Sequence, residues 1–200
     1  MIRAGLATAL ALLALPAIAA EATLRATRPG APPVALRATS SDTHWTIAVG
    51  GTPQTIRVET DLPDSPPWLA DANGDGAADL WIPVIGGNAN VAYDLWIMDP
   101  RSGQFRRAGE ISGLEFSRDA DRRLVSLGRD GCCAISYDFQ DIGPDGRLRA
   151  LFGVHRQLTE SGRGASCEAS AGAIAPPAAT IAALCRMPPG DMPGTPLRGR

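Results

Sequence analysis

Apolar and polar residues alternate along Val91–Met98 and again along 133–139, and this rhythm constrains the fold more than any other feature. Val91, Tyr93, Leu95 and Ile97 fall on one face of an extended segment, with Asp94 on the other. Cys133, Ile135, Tyr137 and Phe139 line one face of the second, opposite Ala134, Ser136, Asp138 and Gln140. A period of two belongs to a strand with one face in a core. Further strand-like runs occupy 23–27, 34–39, 44–49, 55–59, 80–85, 104–111, 123–127 and 147–154, with the two alternating runs extended to 91–98 and 132–140. Turn residues separate them: Gly50-Gly51, the stretch from Asp99 to Gly103, and the stretch from Asp141 to Gly146. No stretch of the 22–158 region repeats apolar residues at helical spacing. The pattern predicts an all-β domain over 20–158, an antiparallel meander forming a curved sheet or a sandwich.

The last forty residues change character. Ala, Gly, Pro and Ser dominate from 159 onward. Residues 178–187 read as a short helix with Pro177 at its first turn. The 159–187 segment is expected to be held by disulfide bonds, and 188–200 reads as a flexible tail.

The first nineteen residues read as a cleavable signal peptide. Arg3 is a short positive region, 6–15 is almost wholly Ala and Leu, and Ala17-Ile18-Ala19 fits the small-x-small cleavage rule. The expected address is periplasmic or secreted. The absence of Lys suggests a bacterial chain with biased codon usage. Loss of Arg3 takes the formal charge from -2 to -3. This balance offers no basic surface to a nucleic acid or a membrane. Cys132, Cys133, Cys167 and Cys185 form an even set in an oxidising compartment, which implies two disulfides. Either Cys132 bonds Cys133 and Cys167 bonds Cys185, or both of the first pair reach the C-terminal segment. A vicinal bond needs a distorted turn, which Gly131 permits.

The 71–79 loop, Asp-Ala-Asn-Gly-Asp-Gly-Ala-Ala-Asp, carries the chemistry. Asp71, Asn73, Asp75 and Asp79 place oxygens at alternate positions, and Gly76 stands where such a loop turns sharply. Hard cations take six to eight oxygen ligands from a wrapping backbone, so calcium is the expected cofactor. An EF-hand is excluded, because the twelfth position is Ile82 and the flank is strand-like. The loop fits the calcium loop of β-propellers, closed by an Asp at the ninth position. Its ligands would be the side chains of Asp71, Asn73, Asp75 and Asp79 and the carbonyl of Ala77. The loop occurs once, so a repeat propeller is not expected. The alternative is a metal-free Asx-rich turn, in which the carboxylates repel one another.

The ordered set of the 71–79 loop, Leu80-Trp81, Gly86-Gly87-Asn88, Tyr93 to Pro100, Ser102 to Phe105, Arg123 to Ser126 and Gly131 to Cys133 resembles a group of exported bacterial proteins. This is the periplasmic lysozyme-inhibitor-like group, with a single FG-GAP/VCBS-like calcium loop. It includes invertebrate-type lysozyme inhibitors and immunity proteins against peptidoglycan-cleaving effectors. The resemblance spans roughly residues 40 to 155. It implies an inhibitor rather than an enzyme, with a lysozyme-like enzyme as protein partner. The loop that would enter the enzyme's cleft runs from Gly86 through Gly87, Asn88 and Asn90 to Tyr93. Asn amides can reach the paired carboxyl groups of a glycosidase. A calcium-stabilised adhesion or assembly module is the alternative.

No motif supports catalysis by the chain itself. His44 and His155 stand without an activated Ser or Cys beside them, and Glu110 with Glu115 reads as a solvated pair. Trp81 and Trp96 read as core residues, and Trp68 as a cover over the entrance to the acidic loop.

Overall fold

The computed structural model describes residues 20–87, 89–158 and 166–197. The expected signal peptide and Asn88 lie outside these residues. The described chain forms an all-β structure of three antiparallel sheets with one short helix. Consecutive strands β1 (Glu21–Arg28), β2 (Ala31–Ser41), β3 (His44–Val49) and β4 (Thr55–Glu59) pair in chain order. A second meander follows, of β5 (Trp68–Ala70), β6 (Asp79–Gly86), β7 (Val91–Met98) and β8 (Phe105–Gly113). The third sheet contains β9 (Glu115–Arg118), β10 (Leu124–Arg129), β11 (Ala134–Ile142), β12 (Leu148–Gln157), β13 (Cys167–Ala171) and β14 (Thr195–Pro196). Its order is β13-β12-β11-β10-β9-β14. Where the sequence predicts one curved sheet or a sandwich, the chain divides its strands among three separate sheets.

The hairpin turns follow local chemistry. Val49 N–H donates to Gln54 O at 3.0 Å across the Gly50-Gly51 turn, and Gly51 takes φ +75°. Asp99 N–H donates to Gln104 O at 2.8 Å across the next, and Gly143 N–H to Arg147 O at 2.8 Å across the third.

Burial explains the stacking. One core lies between the first two sheets, where Trp45, Ile47, Ile56 and Val58 meet Leu80, Ile82, Val84 and Met98. A second lies between the second and third sheets, where Trp81, Tyr93, Leu95 and Ile111 meet Phe116 and Leu124. The second sheet is therefore the middle layer. Residues Asp79 to Val84 of β6 are all buried, as a strand covered on both faces requires. The same holds for β7: Tyr93 and Leu95 enter one core, and Ala92 and Met98 the other. Alternation along Val91–Met98 thus separates two interiors, not core from solvent. Asp94 on the second face is only 4% exposed.

A third core covers the far face of the third sheet. Ile135, Tyr137, Phe139 and Phe152 lie under Leu184 of α1 (Ala178–Arg186). Pro177 caps the helix start without a side-chain bond. At the other end the buried guanidinium of Arg156 donates Nη1 to Leu184 O at 3.2 Å, beside the Met187 N–H that also reaches that carbonyl, and to Met187 O just past the last turn. Cys167 of β13 is bonded to Cys185 of α1, and Cys132 to Cys133 in the β10–β11 turn, which decides between the two pairings. Gly131, with φ +71°, precedes the vicinal pair.

The segment expected as a flexible tail is instead docked as far as Leu197. Thr195–Pro196 pairs with Arg118 and Ser117 of β9, and Leu197 N–H donates to Phe116 O at 3.0 Å. Ser117 Oγ also donates to Pro193 O at 2.5 Å. An edge strand with open main-chain groups gives a Pro-rich segment something to bond to, which composition alone does not reveal.

Candidate functional site

The acidic loop joins β5 to β6 at the edge of the middle sheet. Its backbone folds over its own side chains. Asp71 accepts from Gly74 N–H (2.5 Å) and Gly76 N–H (3.0 Å). Asn73 Oδ1 accepts from Asp75 N–H at 3.0 Å, and Asp75 Oδ1 from Ala77 N–H at 2.7 Å. Gly76 has φ +86° and faces Pro29, so a Cβ there would meet strained backbone and a ring at 3.0 Å. Ala78 N–H donates to Thr27 O at 2.9 Å, which ties the loop to β1.

Asp79 behaves differently. It is fully buried, and its two oxygens accept from Ala72 N–H (2.7 Å) and Met98 N–H (2.9 Å). Burial pushes its carboxyl up to about 7, and the nearby charges of Asp75 and Asp71 add to that, against the two backbone N–H groups.

Two arginines that the motif does not include cover the loop. Arg118 Nη1 lies 2.9 Å from Asp71 Oδ2 and donates to Asp71 O at 3.0 Å. Arg122, with φ +65°, donates to Gly74 O. Asp119 holds that turn by accepting from the N–H groups of Asp121 and Arg123 and pairing with Arg123 Nε at 2.7 Å. The sequence signal was a run of charge between β9 and β10, which reads as a solvated turn. Among the described residues, no group of three or more His, Cys, Asp or Glu side chains is arranged to hold a metal ion. Within the loop, Asp79 accepts from backbone N–H groups and Asp71 pairs with a guanidinium.

The second candidate element is the turn from β6 to β7. Gly86 and Gly87 are exposed, and Ile85 beside them is 53% exposed. Gly87 N–H donates to Asn90 O at 2.8 Å, closing the turn. The Asn90 amide bonds the main chain of Arg129 in both directions, at 3.0 and 2.9 Å. Tyr93 does not project with the loop: it is 8% exposed. Its ring meets Trp68, Trp81 and Phe116 edge-on at 5.7, 6.1 and 5.5 Å, so it supports the strand from within the core. Trp68 stacks on the fully buried Trp81 at 4.5 Å.

The histidines sit apart, on β3 and β12. His44 Nδ1 is 2.6 Å from Ser41 Oγ, and His155 Nε2 is 3.5 Å from Asp130. Comparison of the chain with family models, with curated proteins and with solved structures returns no match.

Proposed function

We propose that the chain is an exported binding protein that inhibits, or gives immunity to, a peptidoglycan-degrading, lysozyme-like enzyme in the periplasm. The observation that carries this reading is the double anchorage of Asn90 on Arg129. It braces the turn that follows the exposed Gly86 and Gly87 against a neighbouring sheet. A loop held in one conformation before binding loses less entropy on entering a cleft. Gly86, Gly87, Asn88 and Asn90 would form the contact, with Tyr93 acting from beneath.

One calcium ion belongs to the same reading. Its ligands would be Asp71, Asn73, Asp75, Asp79 and the carbonyl of Ala77. An all-oxygen donor set with three carboxylates suits a hard cation. The ion would take over from Arg118 as the counter-charge of Asp71, and would fix the start of β6.

A turbidity assay on peptidoglycan suspensions, run against a panel of muramidases, tests the function. Slowed lysis that Asn90→Ala relieves, with the melting temperature lowered by only about 2–4 °C, is expected. Tight binding to a muramidase without slower lysis would support an adhesion or assembly role instead. No effect on any enzyme of the panel, or inhibition untouched by Asn90→Ala, would overturn the assignment.

A further inference from the structure

The last strand of the first sheet has an open edge, and a groove runs beside it. In an antiparallel ladder, alternate residues bond the neighbour while those between point their N–H and C=O outward. Val49 N–H bonds Gln54 O and Thr60 N–H bonds Thr43 O at the two ends of the β3–β4 ladder. With the register His44↔Glu59 and Thr46↔Arg57, the outward groups belong to Thr55, Arg57 and Glu59. β4 pairs only with β3 among the described residues.

β4 crosses the middle sheet obliquely. Gln54, just before it, exchanges bonds of 2.6 and 2.8 Å with the main chain of Phe105 on β8, and Thr60, just after it, donates to Pro83 O on β6 at 2.8 Å. Part of the middle sheet extends beyond this diagonal, and the groove over it has a volume of about 530 Å³. Its floor is Asp94, Trp96, Arg107 and Glu110, and one wall is the continuous run Arg57 to Asp61. Side chains of a strand alternate between faces, so the consecutive strand residues Arg57, Val58 and Glu59 line a groove only through the strand's edge. The groove therefore occupies the place of a fifth strand of the first sheet.

We propose that this groove accepts an extended segment of a partner protein that pairs with β4 and carries Lys or Arg side chains between apolar ones. Main-chain pairing with an open edge is a recurrent mode of peptide capture. The charges select the side chains. Arg107 is taken up by Asp94 at 2.6 Å, and Arg57 Nη2 lies 3.4 Å from His44 Nδ1. The carboxylates of Glu59, Asp61 and Glu110 have no hydrogen bond or ion pair among the described residues. Trp96 and the exposed Ile85 supply the apolar contacts.

The test uses the full mature chain and two blocked seven-residue peptides, one alternating Arg with Val, the other Glu with Val. The Arg peptide is expected to bind at least tenfold tighter and to slow hydrogen exchange at the Arg57 and Glu59 amides. Arg57→Pro removes an outward N–H and leaves the β3 ladder intact, so binding is lost while the thermal melt persists. Should that variant fail to fold, the Glu59→Gln/Glu110→Gln double variant is expected to lose the preference for the Arg peptide. Asn90→Ala leaves peptide binding unchanged, which separates this site from the loop. Equal binding of both peptides, or binding without protection of those amides, would overturn the proposal. A self-dimer abolished by Arg57→Pro would replace the foreign strand with a second copy.

Discussion

Asn90 and Arg129 exchange two hydrogen bonds, the amide donating to Arg129 O at 3.0 Å and accepting from Arg129 N–H at 2.9 Å. The side chain thereby joins the exposed β6–β7 turn to the end of β10. Each such bond contributes about 0.5–1.5 kcal/mol, and exposure favours the lower value. Asn90→Ala should cost about 1 kcal/mol in urea denaturation. It should also raise hydrogen exchange at Gly87 and Arg129 without affecting the strand centres.

Variants at Asp75 and Asp79 would separate the proposed calcium binding from folding. Excess calcium should raise the melting temperature of the wild type, by linkage worth about 2.7 kcal/mol at 100-fold over the dissociation constant. Chelator should abolish the rise, and Asp75→Ala should lack it. Asp79→Ala should be destabilised even with chelator, because Ala72 and Met98 lose a buried acceptor, at about 1–3 kcal/mol for each orphaned N–H. Identical melts of the wild type with calcium and with chelator would leave the loop as an acidic turn balanced by Arg118.

The two disulfides differ in what they constrain. Cys167–Cys185 closes a loop with a sequence separation of 18, and its removal as the double Ser variant should cost about 3 kcal/mol through the unfolded chain. Cys132–Cys133 joins neighbours and closes almost no loop. Its double Ser variant should melt much closer to the wild type. Chemical denaturation of both variants checks the ranking.

Asp94 predicts a pH dependence. Its carboxyl is raised mainly by desolvation, against the Trp96 indole N–H and Arg107, with Glu110 opposing ionisation. Arg107 and Glu110 face it from β8, and Arg57, Glu59 and Asp61 border the same groove from the β4 edge. A raised folded pKa means that the folded state holds its proton more tightly than the unfolded chain. The contribution is therefore fully present below the unfolded value of 3.8 and is lost as pH rises through the higher folded value. The melting temperature of the wild type, relative to Asp94→Asn, should rise as pH falls through that window and level off near 3.8. A constant difference across it would show that Asp94 keeps an ordinary pKa.

Local chemistry alone determined much of this protein. His44–Val49, Thr55–Glu59 and Val91–Met98 are strands with the bounds that their strand-like runs and flanking turns imply, and the helix at Ala178–Arg186 starts after Pro177 as expected. The turns at Gly51 and Gly103 were equally legible, because φ preference and side-chain period are properties of a few neighbouring residues. The folding of the 71–79 loop over its own carboxylates and the positive φ of Gly76 belong to the same class.

What only the tertiary structure decided depends on residues far apart in the chain. Strands β5, β9 and β14 are three, four and two residues long, too short for a periodic signal, and the five residues of β13 include no large apolar side chain; all four exist because a neighbouring strand bonds them. A period of two tells which residues share a face, not what covers it; hence Tyr93 entered a core and β7 was buried on both sides. Arg118, forty-seven positions from Asp71, supplies the charge that the loop's own residues lack. The groove beside β4 exists because the middle sheet outreaches the sheet packed on it, a relation between two layers that no single stretch of sequence contains.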